Sequence, residues 1–515
     1  MAICTFTRSI LPLVLLLLTA SSGLFGQSDS LRLENYKERH RPQFHFSPVA
    51  HWMNDPNGLC WFEGEYHLFY QYYPAGIVWG PMHWGHAVSS DMVRWKHLPV
   101  AIYPDSLGYI FSGSVVIDKD NRSGLGTKEQ PPMVAIFTHH DPQGEKEGQI
   151  TFQNQSIAWS SDKGRTFTKF SGNPVIKNPG IRDFRDPKVR WHEESNRWIM
   201  VLAAYDQVML YSSADLKKWD FCSSFGIPGD TRLWECPDLV PVRTRNSDEK
   251  KWVLLVSIQN SAPNGGTATA YFVGDFDGRT FKSDPTFQQW LDYGTDNYAM
   301  VTWSNVPDDR ILALGWMSNW QYAQQVPTEQ WRSAMTLPRE LTLHKNDGGF
   351  RLHSAPVAEL RTLQNSDAPD LATGIRKPGL IYSDCTLSRL TLTMPVMPTA
   401  DLAIRYSNDD NQELIVGYDR QKNAFYVDRS KAGQHDFSPT FAGRHYSGQL
   451  PGSFPFSMEI FLDHASVELF GQQGSTVMTE ICFPSKPFSK AELVCHPEDV
   501  SKCDMKAWRL NRVWK

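Results

Sequence analysis

The chain has 515 residues, 41% hydrophobic and 12% aromatic, and balances 51 basic against 56 acidic side chains for a formal charge of -5. That length exceeds one ordinary core and predicts two to four units at roughly 150 residues each, fewer if they are large β domains. The charges are spread without a basic stripe for a polyanion to follow, which excludes nucleic acid as an expected partner.

The opening MAICTFTRSILPLVLLLLTASSGLFGQ places Arg8 before an apolar run from Ile10 to Leu18 and small residues after it. This is the layout of a secretory signal peptide, assigned to residues 1–26. The run is shorter than the roughly 20 residues that cross a bilayer, and no later stretch reaches that length. No L-x-x-C pattern follows it. The expectation is an exported protein, secreted or periplasmic, with no membrane span and no lipid anchor.

Of the eight cysteines, Cys4 lies in the signal, leaving Cys60, Cys222, Cys236, Cys385, Cys482, Cys495 and Cys503 with no CxxC pair. An odd, scattered set is neither a zinc framework nor a dense disulfide scaffold. Cys495 and Cys503 could pair; most of the others read as buried thiols. No metal and no cofactor are expected.

Beyond the signal, helical patterns are sparse. EYHLFYQYY, RWIMVLAAY, KWVLLVSIQ and RILALGWM are short β-branched or aromatic runs bounded by Gly, Pro, Asn or Asp, which predicts a nearly all-β chain. SSDMVRW, SSDKGRTF, SADLKKW and DFDGRTF each set an Asp four or five residues before an aromatic, at intervals of 52 to 72 residues. Such a period suits one four-stranded blade per copy, so residues 40–345 read as a β-propeller. A linker is expected over 346–363. LSRLTLTM, LAIRYS and SVELFG then alternate without the repeat, which predicts a β-sandwich over 364–515.

Three acids stand in similar settings: Asp55 in MNDPNG, Asp186 in FRDPK and Glu235 in LWECPDL. Taken singly, Asp55 reads as part of a turn, because Asp-Pro and Asn-Gly are turn-forming pairs. The first strands of successive blades line one channel, however, so acids 131 and 49 residues apart can converge at its mouth. Paired carboxylates suit glycosidic cleavage, one attacking the anomeric carbon and the other protonating the leaving oxygen, while a third can hold sugar hydroxyls. Arg185 beside Asp186 supplies a planar fork for a hydroxyl or a carboxylate. Trp52, Trp61, Trp79, Trp84 and Trp234 crowd the same motifs.

Other candidates carry less. His83 with His86, and His139 with His140 and Asp141, lack the spacing of a zinc helix or finger and read as loop or core residues. Asn121 and Asn154 begin N-x-S sequons, which matter only in a eukaryotic secretory route. No P-loop, G-x-G-x-x-G, H-E-x-x-H or G-x-S-x-G is present.

WMNDPNG, RDP and EC in this order, with FSGS at 111–114, MHWGHAVSSD, GWMSNWQY, WRSAMTLPREL, DHASVELFG and MTEICFP, resemble glycoside hydrolase family 32 over nearly the whole mature chain. This is the invertase, inulinase and levanase family. The resemblance implies a five-bladed propeller followed by a sandwich. It implies Asp55 as nucleophile, Glu235 as acid/base and Asp186 as transition-state stabiliser. Asn54, Gln71, Trp79, Phe111, Ser112 and Arg185 fall on the family's pocket positions, with Trp316 and Trp320 as further wall residues. DNYA at 296–299 departs from the family's common aromatic before the Tyr, which leaves Asn297 without an assigned role.

The assigned roles require Asp55 ionised, with turn amides of NDPNG as its expected donors, and Glu235 protonated. RPQFHFSP, IFSGSVV and NGGTATAYFVGDFDGRTF look closer to exo-acting inulinases and levanases than to dedicated invertases. The expected substrate is therefore fructan or sucrose. A sucrose-specific invertase and a non-catalytic fructan-binding protein are the alternatives, with a fructosyltransferase third.

Overall fold

The computed structural model describes residues 36–514 apart from 246, 248, 347, 367–369, 374, 376 and 451–454. The signal peptide assigned to 1–26 lies outside the described residues. The described chain is nearly all β, as the short bounded runs predict.

The N-terminal part forms antiparallel sheets that follow the chain. One joins His51–Phe62, Glu65–Tyr73, His83–Ser89 and Lys96–Ile102, with Trp331–Arg332 on its edge; the next joins Tyr109–Ile117, Met133–His140, Gln153–Ser160 and Thr168–Lys169. A third runs from Phe184–His192 to Asp220–Gly226. The fourth begins at Trp234–Arg245 and is continued by the strands from Tyr298 onward through a parallel pairing of Thr244 with Leu343.

The repeated Asp motifs occupy one equivalent place, the connection from the third strand to the fourth. There Asp91 accepts from the amides of Val93 and Arg94, Asp162 from Thr166, Asp215 from Lys217 and Lys218, and Asp277 from Arg279 and Thr280. A carboxylate bonding its own chain a few residues on is a self-contained turn, which is why the spacing survives where the strands differ.

The first strands of these sheets neighbour one another in a closed ring. His51–Phe62 packs beside Tyr109–Ile117, that beside Phe184–His192, then Trp234–Arg245, then Tyr298–Thr302, which returns to His51–Phe62. This arrangement carries residues remote in sequence to one end of a common axis.

The described residues of the expected linker, 346–363, carry regular structure. Gly349–Pro356 pairs with Arg339–Asn346, and Ala358–Leu363 makes a 3-10 helix that buries Leu360 and Leu363. Beyond it, two six-stranded sheets enclose a core including Leu390, Ile404, Val416, Phe456, Ile460 and Leu469.

The two parts meet through buried charge. Asp292 pairs with Arg339, Arg339 with Glu468, Glu468 with His45 and His45 with Asp463, every side chain fully buried. A second chain links Asp296 to Arg429 and Arg429 to Glu480, which also bonds His445. Asn297 belongs to this junction: fully buried, it donates to Asp292 at 3.1 Å. Cys495 and Cys503 are free thiols, like the other described cysteines.

Candidate active site

Asp55 sits within the strand His51–Phe62 and not in a turn. Its setting is a β-bulge: Met53 faces Tyr72 and Pro56 faces Tyr70, so Asn54 and Asp55 together oppose Gln71. The same two-against-one irregularity recurs along the ring. It sets Phe111 and Ser112 against Thr138, Asp186 and Pro187 against Leu202, and Cys236 and Pro237 against Val256. A bulge bends the strand and re-aims its side chains. It also leaves an amide out of the ladder, which suits a proline there. The NDP, RDP and ECP patterns are therefore bulge signatures, and the backbone shows it: φ is +64° at Asp186 and +46° at Cys236.

The re-aimed side chains meet in a cavity of about 210 Å³. Asn54, Asp55, Gln71, Trp79, Phe111, Ser112, Arg185, Asp186, Glu235 and Trp320 all line it. Trp316 does not. It lies on Ile311–Met317, a strand behind the inner one, and packs fully buried against Trp52, Trp320 and Tyr298. It supports the wall without forming it.

Side chains, not turn amides, are the described donors to Asp55. Ser112 Oγ donates at 2.6 Å, Asn54 Nδ2 at 3.1 Å and the Cys236 thiol at 3.5 Å. Asn54 is itself fixed by the Trp52 indole N–H at 2.8 Å. Asp186 accepts from the Cys236 amide at 3.0 Å and from its thiol at 3.7 Å. One cysteine thus ties two of the acids together.

Glu235 is held from both sides. Arg185 donates twice to Oε1, at 3.1 and 2.9 Å, while Gln259 donates to Oε2 at 2.7 Å together with the Tyr298 hydroxyl. Arg185 is anchored in turn on Asp183 at 2.6 Å.

Burial raises the pKa of Asp55; the Ser112 hydrogen bond opposes this and the charge of Glu235 adds to it. Asp186 is raised by the same desolvation, which Arg185 offsets only in part against the charges of Glu235 and Asp55. Asp183, Asp186 and Glu235 share the one guanidinium of Arg185. Such a cluster gains when a bound group brings donors.

His140, Glu145, Gln153 and Asp183 also line the cavity. His140 stacks flat on Phe111, ring centroids 4.2 Å apart, and burial followed by the Arg185 charge holds it down to about 4. It is a neutral wall residue. THHDP marked its position without its role; Gln153 carries no local mark, because its pairing with His140 brings it in, while Asp183 comes with the adjacent Arg185 that it anchors.

Comparison with known proteins agrees with this geometry. Residues 45–356 match the glycosyl hydrolases family 32 N-terminal domain, and residues 363–509 match the family's C-terminal domain. The chain belongs to glycosyl hydrolase family 32. Family 32 relatives include a levanase of Bacillus subtilis (strain 168), 45% identical over 97% of this chain and 75% of its own length. An extracellular exo-inulinase of Aspergillus awamori is 36% identical over 89% and 92%. The crystal structure of an exo-inulinase from Aspergillus awamori superposes with a TM-score of 0.85 at 34% identity, over 93% of this chain and all of that one. This family 32 chain is a glycoside hydrolase of the β-fructofuranosidase and exo-fructanase class, built as the family's β-propeller plus β-sandwich.

Proposed function

We propose that this enzyme is exported and releases terminal β-D-fructosyl units from fructans and from sucrose, with retention of configuration. The carrying observation is the convergence of Asp55, Asp186 and Glu235 from three bulged strands on one cavity. The levanase and exo-inulinase relatives support the substrate class. The opening signal pattern supports export, and no helix among the described residues is long and apolar enough to cross a membrane. The closed ring of inner strands supports five blades over residues 40–345, with the sandwich over 364–515.

Asp55 attacks the anomeric carbon, and the bond to the leaving oxygen breaks as Glu235 delivers its proton there. The product of this step is a fructosyl ester on Asp55 and a free leaving sugar. Water then attacks the same carbon, gives its proton to Glu235 and frees Asp55. In the transition state of each step, positive charge on the ring is met by Asp186, which accepts hydrogen bonds from ring hydroxyls. Ser112, Asn54 and the Cys236 thiol hold Asp55 in position. Arg185 and Gln259 fix Glu235 with few rotamers to lose.

Trp79, Phe111 and Trp320 wall the cavity, and Asn54, Arg185 and Asp186 offer polar contacts to a ring whose hydroxyls are free. A chain end has such a ring; an internal unit does not. A sucrose-specific invertase is the nearest alternative, while a binder without activity would gain nothing from three acids converging on one cavity. Product chromatography on sucrose, inulin and levan side by side tests the reading. Fructose as the main product of both polymers from the first minutes is expected. An early ladder of oligosaccharides would overturn end-cutting, and turnover of sucrose alone would make the enzyme an invertase.

A further inference from the structure

Tyr205 forms the turn between Arg197–Ala204 and Gln207–Ser213. Its backbone is pinned at both ends to the catalytic strands: its amide donates to the Asp183 carbonyl at 3.1 Å, and its carbonyl accepts from the Trp234 amide at 2.7 Å. Asp183 lines the cavity, and Trp234 immediately precedes Glu235. Tyr205 is therefore fixed beside the cavity, against the segments that carry Asp183 and Glu235.

The tight turn accounts for the backbone of Tyr205 but not for its side chain. Its φ of +63° is a region where Gly, Asn or Asp is ordinary and a bulky side chain is costly. The side chain is 42% exposed, and among the described contacts it has neither a ring partner nor a hydrogen bond. An unpacked aromatic held in a costly conformation beside an active site is better accounted for by a ligand than by the fold. A flat ring with a polar tip suits the alternating C–H faces and hydroxyls of a sugar.

We propose that Tyr205 is the platform for the second sugar of the leaving chain, and so a determinant of chain-length preference. It does not line the cavity itself, where His140, Glu145 and Asp183 remain for the first leaving sugar. Sucrose leaves a single unit and does not reach the platform. A fructan chain leaves several and does. This inference rests on the proposed fructosyl hydrolysis and adds a site to it.

The test is the ratio of kcat/KM on nystose, a β2,1-linked tetrasaccharide, to kcat/KM on sucrose, with thermal melting measured alongside. Tyr205→Gly removes the ring and relieves the backbone, so the variant should melt no lower than the parent. The ratio should nevertheless fall about tenfold, through KM, with sucrose turnover within about twofold. Tyr205→Trp should keep the ratio. An unchanged ratio in Tyr205→Gly, or an equal loss on sucrose and nystose, would overturn the platform. A parent enzyme that turns over neither substrate would overturn the proposed function instead.

Discussion

The Ser112 hydroxyl donates to Oδ2 of Asp55 at 2.6 Å, across the boundary between two neighbouring sheets. That bond favours the ionised form of an acid whose pKa burial otherwise raises. Because Asp55 must be ionised to attack, activity should fall as pH drops through its raised pKa, above the ordinary carboxylate range. Ser112→Ala removes the opposing hydrogen bond and should shift the acidic limb of the kcat/KM profile further upward. A limb that stays put or moves down in this variant would contradict the assignment of Asp55.

Replacing either reacting acid removes a chemical step. Asp55→Ala and Glu235→Ala should each lower kcat by about a thousandfold or more, read in a reducing-sugar assay on sucrose. Near-parental turnover in either would end that residue's role.

The acid cluster should also cost stability. A carboxyl whose folded pKa lies above its unfolded value loses stability as pH rises through that range, so at neutral pH Asp55 is a liability to the fold. Asp55→Asn should melt higher than the parent at pH 7, with the gain shrinking toward pH 4. A lower melting temperature would show that the carboxylate is structural.

The junction between the two parts loses stability in the same direction, over a higher pH window. Burial alone would lower the pKa of His45, but Asp463 and Glu468 outweigh it and raise it to about 9. A raised histidine gives stability that is complete below about 6.5 and is lost as pH climbs through about 9. Melting temperatures should therefore drop across that window, and His45→Ala should flatten the drop. It should also cost about 3–5 kcal/mol at neutral pH, since it takes the histidine from buried Asp463 and one of two cationic partners from buried Glu468. A parallel drop in parent and variant would place the sensitive group elsewhere.

What was legible in the sequence was what a short stretch of chain determines. The repeated Asp turns bond their own amides, so their spacing marked the sheets. The Pro after Asp55 and Asp186 marked a stiff backbone, although a strand bulge and not a turn is what it stiffens. Trp316 was misread as cavity wall because an aromatic looks the same from the front and the back of a pocket; its strand lies behind the inner one. Gln259, just past the end of Lys250–Ile258, and Tyr298, on Tyr298–Thr302, act on Glu235 from segments remote in sequence, a relationship no local pattern records.

The measurement that bears most directly on the account is NMR of the first fructose released from sucrose, before mutarotation. If Asp55 forms the ester and water enters from the face the leaving sugar vacated, the β-fructofuranose signal appears first and the α signal grows in later. An α-fructofuranose signal appearing first would mean that water attacks the substrate directly, that Asp55 is a base, and that the double displacement is wrong.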